Sequence, residues 1–152
     1  MTTTPTTGTV GHAMTRPVVG IVAHAGLDTA LRVMCTQGVR HLLVVDLGRR
    51  TGLIHETDLL WALCTRPPGH RGTVASCARD DVLVAAPTDR LAEVAARMTA
   101  ARTDVVLVAD QHDVVGIVTV TDVLRHLAGG VELLHSGLNS GLDGTGGDDT
   151  SR

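Results

Sequence analysis

Thr119, Thr121 and Asp122 stand where an apolar run, Gly116-Ile117-Val118, hands over to a helical pattern. On an extended chain alternate residues share a face, so Thr119 and Thr121 fall on one side while Asp122 opens the helix that follows. A carboxylate so placed accepts from vicinal hydroxyls such as a ribose 2'-OH and 3'-OH, and the threonine hydroxyls with first-turn amides suit phosphate oxygens. The same residues also make an ordinary helix start, in which a Thr or Asp N-cap contributes about 1 kcal/mol. Spacing alone leaves both readings open.

Catalysis has less support. No Gly-x-Ser-x-Gly, His-Glu-x-x-His or paired Cys/His arrangement is present, and Asp58 and Asp122 belong to separate copies of one motif, so no nucleophile and base are expected in company. The eight histidines include no pair four apart on a helix and no cysteine partner at finger spacing, so no metal site is expected. The chain reads as a binding protein that needs no cofactor, not as an enzyme.

The elements that must position these residues come from an internal repeat. Gly52, Thr57, Asp58 and Leu60 recur as Gly116, Thr121, Asp122 and Leu124, each displaced by 64. Laying residues 9–64 on 73–128 needs no gap and gives 13 identities in 56 positions, so the chain is a tandem duplication. Each copy reads strand, helix, strand, strand, helix. Leu27, Ala30, Leu31 and Met34, like Leu91, Val94, Ala95 and Met98, make one helical stripe. Leu42–Val45 and Val105–Val108 are buried strands closed by Asp46 and Asp110, and a second strand returns at Gly52 and Gly116. A copy of about 60 residues is marginal alone, so the two are expected to pack sheet to sheet over a shared core. The expected organisation is a tail (1–8), repeat 1 (9–64), a Pro/Gly linker (65–72), repeat 2 (73–130) and a mostly disordered tail (131–152).

Composition narrows the function further. All 13 basic residues are Arg, so Schiff-base chemistry and the Lys-containing phosphate loop are excluded. A net charge of −3 and a single aromatic, Trp61, lack the footprint of a nucleic-acid binder. Three cysteines with no CxxC spacing, no apolar leader and no apolar run near the roughly 20 residues of a bilayer span point to a reduced, cytoplasmic protein with no membrane segment.

The gap-free repeat, Val39 to Asp46, Gly52 to Asp58 and above all Gly116 to Asp122 resemble the cystathionine β-synthase (CBS) domains, which occur as tandem pairs. The resemblance covers residues 9 to 128 and implies a mixed α/β (α+β) fold in which two repeats pack as a pseudo-two-fold pair. It implies a regulatory module whose ligand, an adenine nucleotide (AMP, ADP or ATP) or S-adenosylmethionine, lies between the repeats. By resemblance, Thr119, Thr121 and Asp122 bind the ribose, Arg40 and His41 approach the phosphates, and Val18, Val19 and Ile117 wall the base. The first copy departs from the signature, since His55 replaces the threonine although Thr57 and Asp58 remain, so its cleft is expected to be weak or empty. A homodimer through helices, with Trp61 as a candidate anchor, and a separate regulated protein are the expected partners. On this reading Asp122→Ala abolishes ligand-induced stabilisation and leaves the unliganded fold nearly intact. The alternative is a structural or protein-interaction module whose cleft is filled by its own side chains.

Overall fold

The computed structural model describes residues 8–139. A one-turn helix α1 (Val10–Ala13) precedes β1 (Gly20–Val22), α2 (Leu27–Gln37), β2 (His41–Asp46), β3 (Arg49–His55) and α3 (Glu56–Thr65). After a short 3-10 turn at Val74–Ser76 come β4 (Val84–Ala85), α4 (Leu91–Ala101), β5 (Val105–Asp110), β6 (Asp113–Thr119) and α5 (Val120–Asn139). Every element of the second set begins 64 residues after its counterpart, so the repeat read in the sequence is also the repeat of the fold. The segments read as tails lie largely outside the described residues, except that α5 carries the chain on to Asn139.

Each set builds a three-stranded sheet with its first two strands parallel and its last two antiparallel. Both long hairpins slip register at equivalent points, between Val44 and Val45 and between Val108 and Ala109. The period-two alternation of the strands then divides their side chains between two cores. Leu42, Val44 and Ile54 face α2 and α3 with Leu27, Ala30 and Met34. Val106, Val108 and Val118 face the stripe of α4, Leu91, Val94 and Met98. The opposite faces, Leu53 from the first sheet and Val105, Leu107 and Ile117 from the second, meet in a third core between the sheets. The fold is thus a mixed α+β pair of repeats packed sheet to sheet, as expected.

The leading segments are exchanged between the repeats. Val10 on α1 is fully buried with Leu91 and Val94 of the second set, and Val74 is buried with Leu27 and Met34 of the first. Thr9 bridges to Arg90 and Thr15 to Ile117, and the counterparts of these bridges, Gly26 to Thr73 and Leu53 to Arg79, run the other way. The exchange accounts for the glycine of the repeated motif. A Cβ on Gly52 would lie 2.5 Å from the carbonyl oxygen and 3.1 Å from the carbonyl carbon of Arg79, whose backbone is fixed by two 2.8 Å hydrogen bonds to Leu53. At Gly116 the obstruction is the flexible side chain of Met14. Gly52→Ala is therefore expected to destabilise the protein by about 2 kcal/mol, as overpacking against an immovable neighbour does, and by more than Gly116→Ala. Equal urea midpoints for the two variants would refute the close-approach explanation.

Candidate functional site

Asp122 is 5% exposed, at the start of α5. Its Oδ2 accepts from the backbone N–H of Thr119 at 2.8 Å and from the Thr119 hydroxyl at 2.9 Å, while its own N–H reaches Thr119 Oγ1 at 3.3 Å. This is a reciprocal capping box, with Thr119 as the cap and Asp122 three residues on. Its Oδ1 accepts from the hydroxyl of Thr15 at 2.9 Å and from Arg125 at 3.1 Å. Thr15 arrives from the exchanged segment, pinned opposite Ile117 by hydrogen bonds of 2.8 and 3.0 Å. The carboxylate therefore has four internal donors, two of them on exposed residues, Thr15 and Arg125.

One residue beyond Thr15 a groove of about 490 Å³ opens between the repeats, lined by Arg16, Pro17 and Val18, by Leu43 of β2 and by Val114 and Val115 of β6. Its lining side chains are apolar apart from Arg16, the one charged residue among them. Of the residues expected to wall a base, Val18 lines this groove, Val19 packs into the first repeat's core, and Ile117 is buried between the sheets. Thr121 is exposed on the first turn of α5. Arg40 makes an exposed ion pair with Glu56 at 3.7 Å, and His41 lies against His55 and Asp104.

The first repeat's counterpart differs in its chemistry. Asp58 is gripped by both arms of the Arg79 guanidinium, at 2.5 and 2.8 Å, and Arg79 occupies the position of Thr15. That fork holds the Asp58 carboxyl below its ordinary range and takes one acceptor site on each of its oxygens. Shifted by 64, the groove-lining positions become Asp80, Asp81, Val82, Leu107, Arg50 and Thr51, so the second rim carries two carboxylates where the first has Arg16 and Pro17. Thr57 is exposed on α3.

A third cluster spans the repeats. His41 and His55, paired across β2 and β3, stack edge to face with ring centres 4.7 Å apart. Asp104, the residue before β5, reaches toward both: His41 Nε2 to Oδ2 and His55 Nδ1 to Oδ1 are each 3.6 Å. Burial pushes both imidazoles below their ordinary pKa, His41 further through the neighbouring ring, and Asp104 opposes the shift without cancelling it. Spacing in the sequence conceals this cluster, as it conceals Thr15, Arg16 and Arg79, because each of those contacts joins residues of different repeats.

The chain belongs to the CBS domain family, whose model matches residues 10–65 and 74–129. AcuB from Vibrio cholerae superposes with a TM-score of 0.73 at 25% identity, over 84% of this chain and 96% of that one. The CBS domain pair of protein MJ0100, in complex with 5'-methylthioadenosine and S-adenosyl-L-methionine, gives 0.72 at 25% identity over 80% of this chain and 96% of that one. The cytosolic domain of the Mg2+ channel MgtE in complex with ATP gives 0.65 at 28% identity, over 78% of this chain and 48% of that one. No curated protein matches the chain. Among the described residues no helix is long and apolar enough to cross a membrane.

Proposed function

We propose that this protein is a cytoplasmic regulatory module, not an enzyme, that binds one adenine nucleotide or related adenosyl ligand between its repeats and passes occupancy to a partner. The observation that carries this reading is the groove lined by Arg16, Val18, Leu43 and Val114, next along the chain from Thr15, whose hydroxyl donates to the buried carboxylate of Asp122. The base occupies the apolar walls and the ribose hydroxyls donate to Asp122 Oδ1, releasing Thr15 and Arg125 to water. Thr119 stays on Oδ2 and keeps the helix capped. Arg16 takes the charged end of the ligand. Two similar structures hold such ligands, S-adenosyl-L-methionine with 5'-methylthioadenosine in the MJ0100 pair and ATP in the cytosolic domain of MgtE.

Displacement of Arg125 offers a route outward, because α5 carries it beside the exposed Leu124 and Leu127, and α3 exposes Leu60 and Trp61. These apolar residues are the surface through which we propose the module forms a homodimer or meets its regulated protein. The first repeat's cleft, with Asp58 held by Arg79, stays weak or empty.

A thermal-shift screen against AMP, ADP, ATP, S-adenosylmethionine and NAD tests the reading. At about a hundred times its dissociation constant the cognate ligand stabilises the fold by about 2.7 kcal/mol. Arg16→Glu is expected to reduce the shift from an anionic ligand without changing the unliganded Tm. A second reading, an interaction module without a small ligand, is favoured by the four internal donors that already satisfy Asp122. No shift with any of the five ligands would favour it.

A further inference from the structure

We propose that His41, His55 and Asp104 form a binding site for one divalent transition-metal ion of the zinc class, clasped between the two repeats. The two imidazoles come from the paired strands β2 and β3 of the first repeat, and the carboxylate comes from the residue just before β5 in the second. One ligand atom from each residue lies within 4.8 Å of the other two. The separations of 3.6 Å between each ring nitrogen and the carboxylate exceed a hydrogen bond of ordinary length, and they approach the roughly 3.3 Å edge of a tetrahedron built on metal–ligand bonds of about 2.0 Å. The two 3.6 Å separations go to different oxygens of the carboxylate, and the set as a whole spans 4.8 Å, so closing it on an ion draws the side chains together.

The chemistry of the set favours the same ions. Two imidazoles and one carboxylate suit zinc, cobalt or nickel rather than magnesium or calcium, which prefer oxygen ligands throughout. One carboxylate leaves the site, once occupied by a divalent ion, with a single net positive charge. The side chains of His41 and His55 are only 10% and 13% exposed, whereas that of Asp104 is 63% exposed, so the entry lies on the carboxylate's side and a fourth position faces solvent. The site is single. Its pseudo-two-fold counterparts are Val105, Thr119 and Arg40, which cannot form an equivalent site, so the cluster is not a by-product of the duplication. It departs from the expectation of no metal, because the rule applied there reads spacing within one element.

Cobalt(II) titration of the chelator-stripped full chain tests the proposal, with zinc as competitor. The expected result is a visible absorption saturating at one cobalt per chain, abolished by one equivalent of zinc, and at least about tenfold weaker binding in both His55→Thr and Asp104→Asn. His55→Thr restores the residue of the second repeat, and Asp104 is exposed, so both variants are expected to fold, which circular dichroism checks. Binding weakened less than tenfold in either folded variant overturns the proposal. So does an intense near-ultraviolet thiolate band that assigns the ion to cysteine, or the absence of saturation below about 1 mM.

Discussion

Replacing Asp122 with alanine is expected to abolish the ligand-induced rise in Tm and, before any ligand is added, to lower the Tm by several degrees. The second effect departs from what the sequence implies, a binding residue whose loss leaves the fold untouched. Asp122 accepts four hydrogen bonds that close a capping box and tie the exchanged segment to α5. Loss of a helix cap costs about 1 to 2 kcal/mol, which for a domain of this size is several degrees of Tm. Asp122→Asn separates the two roles. Its amide oxygen still accepts from the Thr119 N–H, so the cap largely survives, while the charge that favours two ribose hydroxyls and Arg125 is gone. The asparagine variant is expected to keep most of the stability and to lose the ligand response. Retention of a full ligand-induced shift in either variant would remove Asp122 from the binding site.

Deleting residues 1–17 is expected to have the larger effect on stability, because the second repeat's core is built partly from the beginning of the chain. The deletion withdraws Val10, wholly buried beside Leu91 and Val94, a burial of about 1.5 to 3 kcal/mol. It also removes the hydrogen bonds of Val10 to Asp89, Gly11 to Pro87, Leu91 to Gly8, and both between Thr15 and Ile117, each contributing about 1 kcal/mol net. The combined loss approaches the whole stability of an ordinary domain, so the shortened chain is expected to unfold at much lower urea or without a cooperative transition. Val10→Ala, which keeps the hydrogen bonds, is expected to fall between the two. An unchanged urea midpoint in the deletion would mean that the segment is not held as described.

These two expectations mark where the sequence could and could not be read. The stripes Leu27-Ala30-Met34 and Leu91-Val94-Met98 are buried as their spacing requires, and Asp46 and Asp110 end the strands they were expected to end. Such features are local, and local periodicity reports them. Val10 and Val74 are identical residues at equivalent positions, and nothing near either one tells which repeat it will join. The same blindness covers Thr15 with Asp122, Arg79 with Asp58, and Asp104 with the histidines, pairs separated by 107, 21, and 63 and 49 residues. The candidate ribose-binding carboxylate was visible because it lies in a repeated motif. The groove between the repeats was visible only in part, through Val18, since Arg16 and Val115 have no repeated signature.

The exchange of leading segments also orders events on the ribosome. The first repeat can complete its core once Val74 has emerged, only a few residues after its own last helix. The segment that carries Val10 must wait until Leu91, Val94 and finally Val118 are outside the exit tunnel before it can dock. That closure thus joins a segment made before the first repeat to strands made after it, and until then Val10 is a free apolar hook accessible to chaperones.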